Sequence, residues 1–165
     1  MVYIRKVEEI RWRNPHFYDS DVISDLQTTE HEISVWGYED GDEEARRKAL
    51  LAMIMSRNGF KEFFYVEITD KDLRRLNFKL NDKEGETQFE KYKKLHRNIE
   101  VKTVMGLTIL AWLMKRKINN GRLLHMEVDE ERDLFSNYAV PNEMSLEQLQ
   151  YNGYKKIFKE KNNLK

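Results

Sequence analysis

The residues best suited to chemistry in this chain are His125, Glu127 and Asp129. Their spacing of i, i+2 and i+4 puts all three on one face of an extended strand. An imidazole with two carboxylates in reach can ligate a metal or move a proton. A strand with one wet face shows the same alternation for solubility alone. A second group, Arg11, Trp12, Arg13 and His16, sets guanidinium groups beside aromatic rings around an Asn14-Pro15 break. Such a cluster can stack on a base or hold a phosphate. Equally, it describes a loop whose aromatic side chains close the core. A third pair, Asp21 and Asp25, lies one turn apart on a short helix. Two carboxylates so placed can bind a divalent cation through oxygen, although acids in a first turn also suit the positive end of the helix dipole. His96 falls on a partly apolar side, among Phe89 and Tyr92, and reads as a hydrogen-bonded histidine at the edge of the core rather than a ligand.

Composition narrows the function classes. Lys plus Arg and Asp plus Glu both number 29, so the net charge is zero. No basic field covers the whole molecule, which weakens a nucleic-acid role without removing local patches. Without cysteine there is no disulfide, no thiolate nucleophile and no cysteine zinc site. Charged Arg5, Lys6, Glu8 and Glu9 stand where a signal peptide needs an apolar run. The expected compartment is therefore the cytoplasm. The seven glycines fit neither a P-loop nor a dinucleotide fingerprint. There is no His-Glu-x-x-His zinc helix and no Gly-x-Ser-x-Gly elbow.

The elements that must position these residues follow from periodicity. Residues 104–114 are almost wholly apolar, Thr108 excepted, and are too few to cross a bilayer. They predict a buried central helix near residues 103–118, started by Asn98 or Thr103 and ended at Asn119-Asn120-Gly121. Its terminal Lys115, Arg116 and Lys117 suit the dipole or could meet phosphate. Period-two alternation predicts strands over 32–38, 61–68 and 122–129, and weaker strands near the start. Asp42 caps a helix whose stripe is Ala45, Ala49, Ala52 and Met53; its Arg46, Arg47 and Lys48 read as a solvated face or a basic ligand-facing patch. Strand, helix, strand is a βαβ outline, with antiparallel pairing by another route left open. Thr87 to Glu90 and Ser145 to Gln148 read as capping boxes opening two more helices. Residues 81–86 read as the most mobile loop.

Together these predict a single α+β (or α/β) domain over 1–165. A small mixed sheet packs on about four helices, and a basic end frays over 159–165. The expected function is that of a small accessory or regulatory protein acting by protein–protein binding, with homo-oligomer formation open, no membrane and no cofactor. The aromatic share of 12% and the prominence of Trp, Tyr and Arg in interface energetics motivate it. One alternative is a nucleotide- or nucleic-acid-processing enzyme. Its site would gather Arg11, Arg13 and His16 with either Asp21 and Asp25 or His125, Glu127 and Asp129: the arginines would hold phosphate, the carboxylates a divalent ion, and a histidine would move a proton. A second alternative is a non-catalytic nucleic-acid module. Enclosure of the helix near residue 109 is the central expectation; a wet flank there would overturn this architecture and mark the chain as half of an obligate oligomer.

Overall fold

The computed structural model describes residues 1–13, 20–26, 30–139 and 144–163. They build one α+β domain around a six-stranded sheet in the order β4-β5-β2-β1-β3-β6. The strands are β1 (Val2–Val7), β2 (Glu32–Tyr38), β3 (Phe63–Thr69), β4 (Leu80–Asp82), β5 (His96–Glu100) and β6 (Leu124–Met126). Every neighbouring pair is antiparallel, where a mixed sheet was expected. The βαβ outline is realised in split form. Strands β2 and β3, joined through helix α3 (Glu43–Ile54), run parallel to each other, but β1 lies between them and pairs with both. A crossover of this length reaches over one strand as easily as it reaches a neighbour.

Register divides the side chains between two cores. Val2 and Ile4 of β1 share a cluster with Trp36, Tyr38, Phe63 and Tyr65. Tyr3 and Val7 share the other with Ile33, Val35, Val66, Ile68 and Ile99. This is strand alternation with both faces buried. The first cluster is closed by α3, by α6 (Val128–Leu134) and by α7 (Asn152–Lys161), whose Tyr154 is fully buried and donates to Ile54 O at 3.0 Å. Helix α7 continues through Lys161, inside the segment expected to fray. The second cluster is closed by α2 (Ser20–Leu26), α5 (Val104–Lys117) and Leu73 of α4 (Asp70–Arg75), with Trp12 of α1 (Glu9–Trp12).

Local signals account for most boundaries. Asp42 caps α3 by accepting from Ala45 N at 2.9 Å. Thr69 and Asp72 form a reciprocal capping box on α4. Thr103, not Asn98, caps α5 by accepting from Gly106 N at 3.0 Å. Asn98 belongs to β5 instead. Residues 87–97 depart from the expected helix. Glu90–Leu95 form a tight 3₁₀ turn, and His96 opens a strand.

Helix α5 is the element that differs most from expectation. Leu110, Ala111, Leu113 and Met114 are buried in the second cluster. Its other flank is wet: Val104 is 76% exposed, Met105 68% and Trp112 40%. The helix forms an outer layer on the sheet, so among the described residues one side has no element over it. Composition alone could not reveal this, because an apolar residue reads the same whichever way it points.

Candidate binding surfaces

The residues singled out from the sequence do not converge. Strand β6 ends at Met126, so His125, Glu127 and Asp129 do not share a strand face. His125 stacks on Phe64, ring centroids 4.3 Å apart, with Glu62 3.5 Å from Nε2. Glu127 is the cap of α6, its N–H donating to Glu130 at 2.8 Å. Asp129 pairs with Arg132 at 3.1 Å. Among the described residues no group of three or more His, Asp or Glu is arranged to hold a metal ion.

The Arg11–Trp12–Arg13 cluster is structural. Trp12 is fully buried, and its indole N–H donates to Asp25 Oδ2 at 2.5 Å. Asp25 is thereby engaged as an acceptor inside the fold. Arg11 pairs with Glu8 at 2.6 Å and reaches Ser24 Oγ at 2.8 Å. Arg13 pairs with Glu9 at 2.6 Å and lies over the Phe64 ring. His16 and the side chain of Asp21 lie outside the described residues. Four further basic groups are likewise committed within the fold. Arg46 holds Glu67 and Tyr65, and Arg47 reaches Tyr138. Lys115 is buried and donates to Trp12 O, while Lys117 pairs with Asp72 at 2.6 Å.

Two other surfaces stand out. The first is the wet flank of α5. Arg116 lies over the Trp112 ring, 5.2 Å from its centroid. Met105 and Ile109 lead into a groove of about 370 Å³, floored by Leu76 and Phe78 and edged by Lys79 and Lys102. Residues 101–126 contain five Lys or Arg and no Asp or Glu. Exposed apolar side chains clustered in this way on a soluble domain mark interaction sites more often than singly scattered ones do.

The second lies on the opposite face of the sheet, at the β2–β5–β4 end. There register brings Glu32, Ser34 and Trp36 of β2 beside Asn98 and His96 of β5, and Asn81 of β4 beside Asn98. Here lies a cleft of about 540 Å³ with a polar floor, lined also by Glu30, Ser56, Lys83, Glu84 and Glu86. Glu32 accepts from Asn98 Nδ2 at 2.6 Å, Lys83 Nζ at 3.1 Å and Asn81 Nδ2 at 3.2 Å. These hydrogen bonds hold its carboxyl below the usual range.

His96 is the buried titratable group of this cleft. Its Nδ1 lies 2.8 Å from Lys83 O. A carbonyl only accepts, so Nδ1 carries the proton and Nε2 keeps a lone pair. Burial pushes His96 below its ordinary value of 6.5, so the ring is neutral near pH 7. Gly85 allows the 83–87 loop to sit on it. A Cβ at Gly85 would come within 2.5 Å of the Trp36 ring and 2.7 Å of His96 Cβ. The backbone is fastened by Gly85 N to Lys93 O at 3.1 Å.

A pH dependence follows from the lowered His96 value. The unfolded chain takes up a proton near pH 6.5 before the folded chain does, so protonation favours unfolding. Stability is full above that pH and is lost as pH falls below it toward the folded value. Urea unfolding between pH 7.5 and 5.5 should show a falling midpoint, flattened in His96→Gln. A midpoint independent of pH across that range would contradict it. Glu32 contributes in a separate window, below its ordinary value of 4.5.

The sequence reading placed His96 at the edge of the core, which the structure bears out, but it missed the cleft. The available signal was the alternation of Glu32 and Ser34 with Ile33 and Val35, together with His96-x-Asn98. Comparison with protein-family models, with curated proteins and with solved structures found no match.

Proposed function

We propose that this chain is a small accessory protein that binds another protein, through the uncovered flank of α5. The carrying observation is the exposure of Val104, Met105 and Trp112 on one side of a helix whose other side is core. The occupant that fits is an amphipathic helix with acidic borders. Its apolar side chains would cover Met105 and Trp112 and enter the groove over Phe78. Its carboxylates would face Lys79 and Arg116. A second copy of this chain fits less well, because the carboxylate that lines the groove, Glu100, is already paired with Lys102 at 2.8 Å and leaves Lys79 and Arg116 unanswered. No helix among the described residues is long and apolar enough to cross a membrane.

Fluorescence tests this directly, because Trp12 and Trp36 are buried and Trp112 is exposed. The probe is a synthetic helix with leucines along one face and glutamates along its borders. Titration should shift Trp112 emission to the blue with one-to-one saturation. Met105→Glu should weaken binding about tenfold, the loss of one interface anchor. A matching peptide with lysine borders should not saturate. Equal binding of both peptides, or of neither, would overturn the reading. So would a dimer in sedimentation that Met105→Glu dissociates, which would make the second copy the occupant. Displacement of the peptide by single-stranded DNA would support the nucleic-acid alternative instead.

A further inference from the structure

We propose that the polar cleft over β2, β5 and β4 binds a small organic cation bearing N–H donors, an amine or a guanidinium. The site lies across the sheet from α5 and does not depend on what covers that helix. Three observations carry it.

The first is an orphaned acceptor. Asn98 is 3% exposed, and its Oδ1 is buried without a hydrogen-bond partner. Its orientation is fixed by chemistry. Nδ2 donates to Glu32 at 2.6 Å, and turning the amide over would set a carbonyl against a carboxylate. A buried acceptor with no donor is unfavourable, so it calls for a group to satisfy it. Asn98 is one of the residues that line the cleft, so a modest shift of its side chain would bring this acceptor to a ligand N–H.

The second is charge. The cleft is lined by Glu30, Glu32, Glu84 and Glu86, with Lys83 as the cation among its lining residues and His96 neutral. Lys83 is already shared between Glu30 at 2.8 Å and Glu32 at 3.1 Å. The balance favours a positive occupant over a phosphate or a carboxylate.

The third is shape. The cleft shares Ser56, Glu84 and Glu86 with a neighbouring cavity of about 550 Å³, which is also lined by Thr87, Gln88 and Lys93. Each is within the usual size of a small-molecule site, roughly 300–1,000 Å³. The loop above it is locked on Trp36 and His96 by Gly85, so the walls are formed before any ligand arrives. The His96 ring keeps its Nε2 lone pair as a second acceptor of N–H.

Calorimetry on the full chain at low ionic strength tests the assignment. The probes are 1,4-diaminobutane, methylguanidinium, tetramethylammonium and calcium. The first two should bind saturably at one site. Tetramethylammonium carries charge without N–H and should not. Asn98→Leu should weaken diaminobutane binding at least tenfold. That variant alters a buried position, so Ser34→Lys is the companion. Ser34 is exposed on the cleft floor, and a lysine there adds positive charge without touching the core. Its melting temperature should match the parent while amine binding is lost. Absence of saturable binding by both the amine and the guanidinium would overturn the proposal. So would equal binding of tetramethylammonium, preferential binding of calcium, or an unchanged affinity in Ser34→Lys.

Discussion

Replacing Glu131 by alanine is expected to destabilise the fold by about 3–5 kcal/mol, the largest single-residue loss anticipated here. Glu131 has no exposed surface and pairs with Arg57, itself nearly covered, at 2.5 Å. Its second oxygen accepts from Lys61 N at 3.1 Å. Arg57 also donates to Lys61 O at 2.8 Å and lies over the Phe63 ring, 4.5 Å from its centroid. The pair thus binds the end of α3, the start of β3 and helix α6 together. Removing one partner leaves a buried guanidinium with nothing to neutralise it. Much of the penalty is that stranded charge, so the double replacement Arg57→Met with Glu131→Leu should recover most of the loss. Urea unfolding of the two single variants and the double would measure this. A Glu131→Ala loss below about 1 kcal/mol, typical of surface pairs, would show that the pair is solvated after all.

Trp12→Ala should cost a similar amount, about 3–5 kcal/mol, as large buried aromatic truncations do. The indole is fully buried in the second core and ties α1 to α2 through Asp25. The backbone oxygen of the same residue accepts from the buried Lys115, so α5 is fastened there too. Arg11→Ala, by contrast, should change stability by less than about 1 kcal/mol, because its pair with Glu8 is on the surface. Chemical unfolding separates the two variants. This contrast within two adjacent residues distinguishes a structural Trp12 from a ligand-stacking one. A stable Trp12→Ala protein would restore the binding reading of the cluster.

Much of the architecture was legible in the residues. The strands expected over 32–38 and 61–68 announced themselves by alternation, the second realised as 63–69, and Asp42 and Thr103 marked helix starts by cap chemistry. What was hidden depends on tertiary placement. The 122–129 alternation continues into a helix because Glu127 and Glu130 bond reciprocally as a cap, a local competition that period-two counting does not see. Trp12 and Arg13 looked like a nucleotide platform, yet one is core and the other pairs with Glu9. The exposure of Met105 and Trp112 depends on whether another layer covers α5, which no local pattern encodes. The Asn98 site needs β4, β5 and β2 side by side, joining residues 32 and 98 across 66 positions that include α3, β3 and α4.

The central place of β1 carries a kinetic consequence. Val2 lies beside Tyr38 on one side and Thr69 on the other. Strand β1 therefore gains neither of these neighbours until dozens of later residues have emerged, and its ladder closes only over large chain separations. Such pairings form late and slowly, because loop entropy is lost before contacts repay it. A nascent chain halted before β3 would hold β1 with one side unpaired, so this protein should lean on chaperones most while it is still half made.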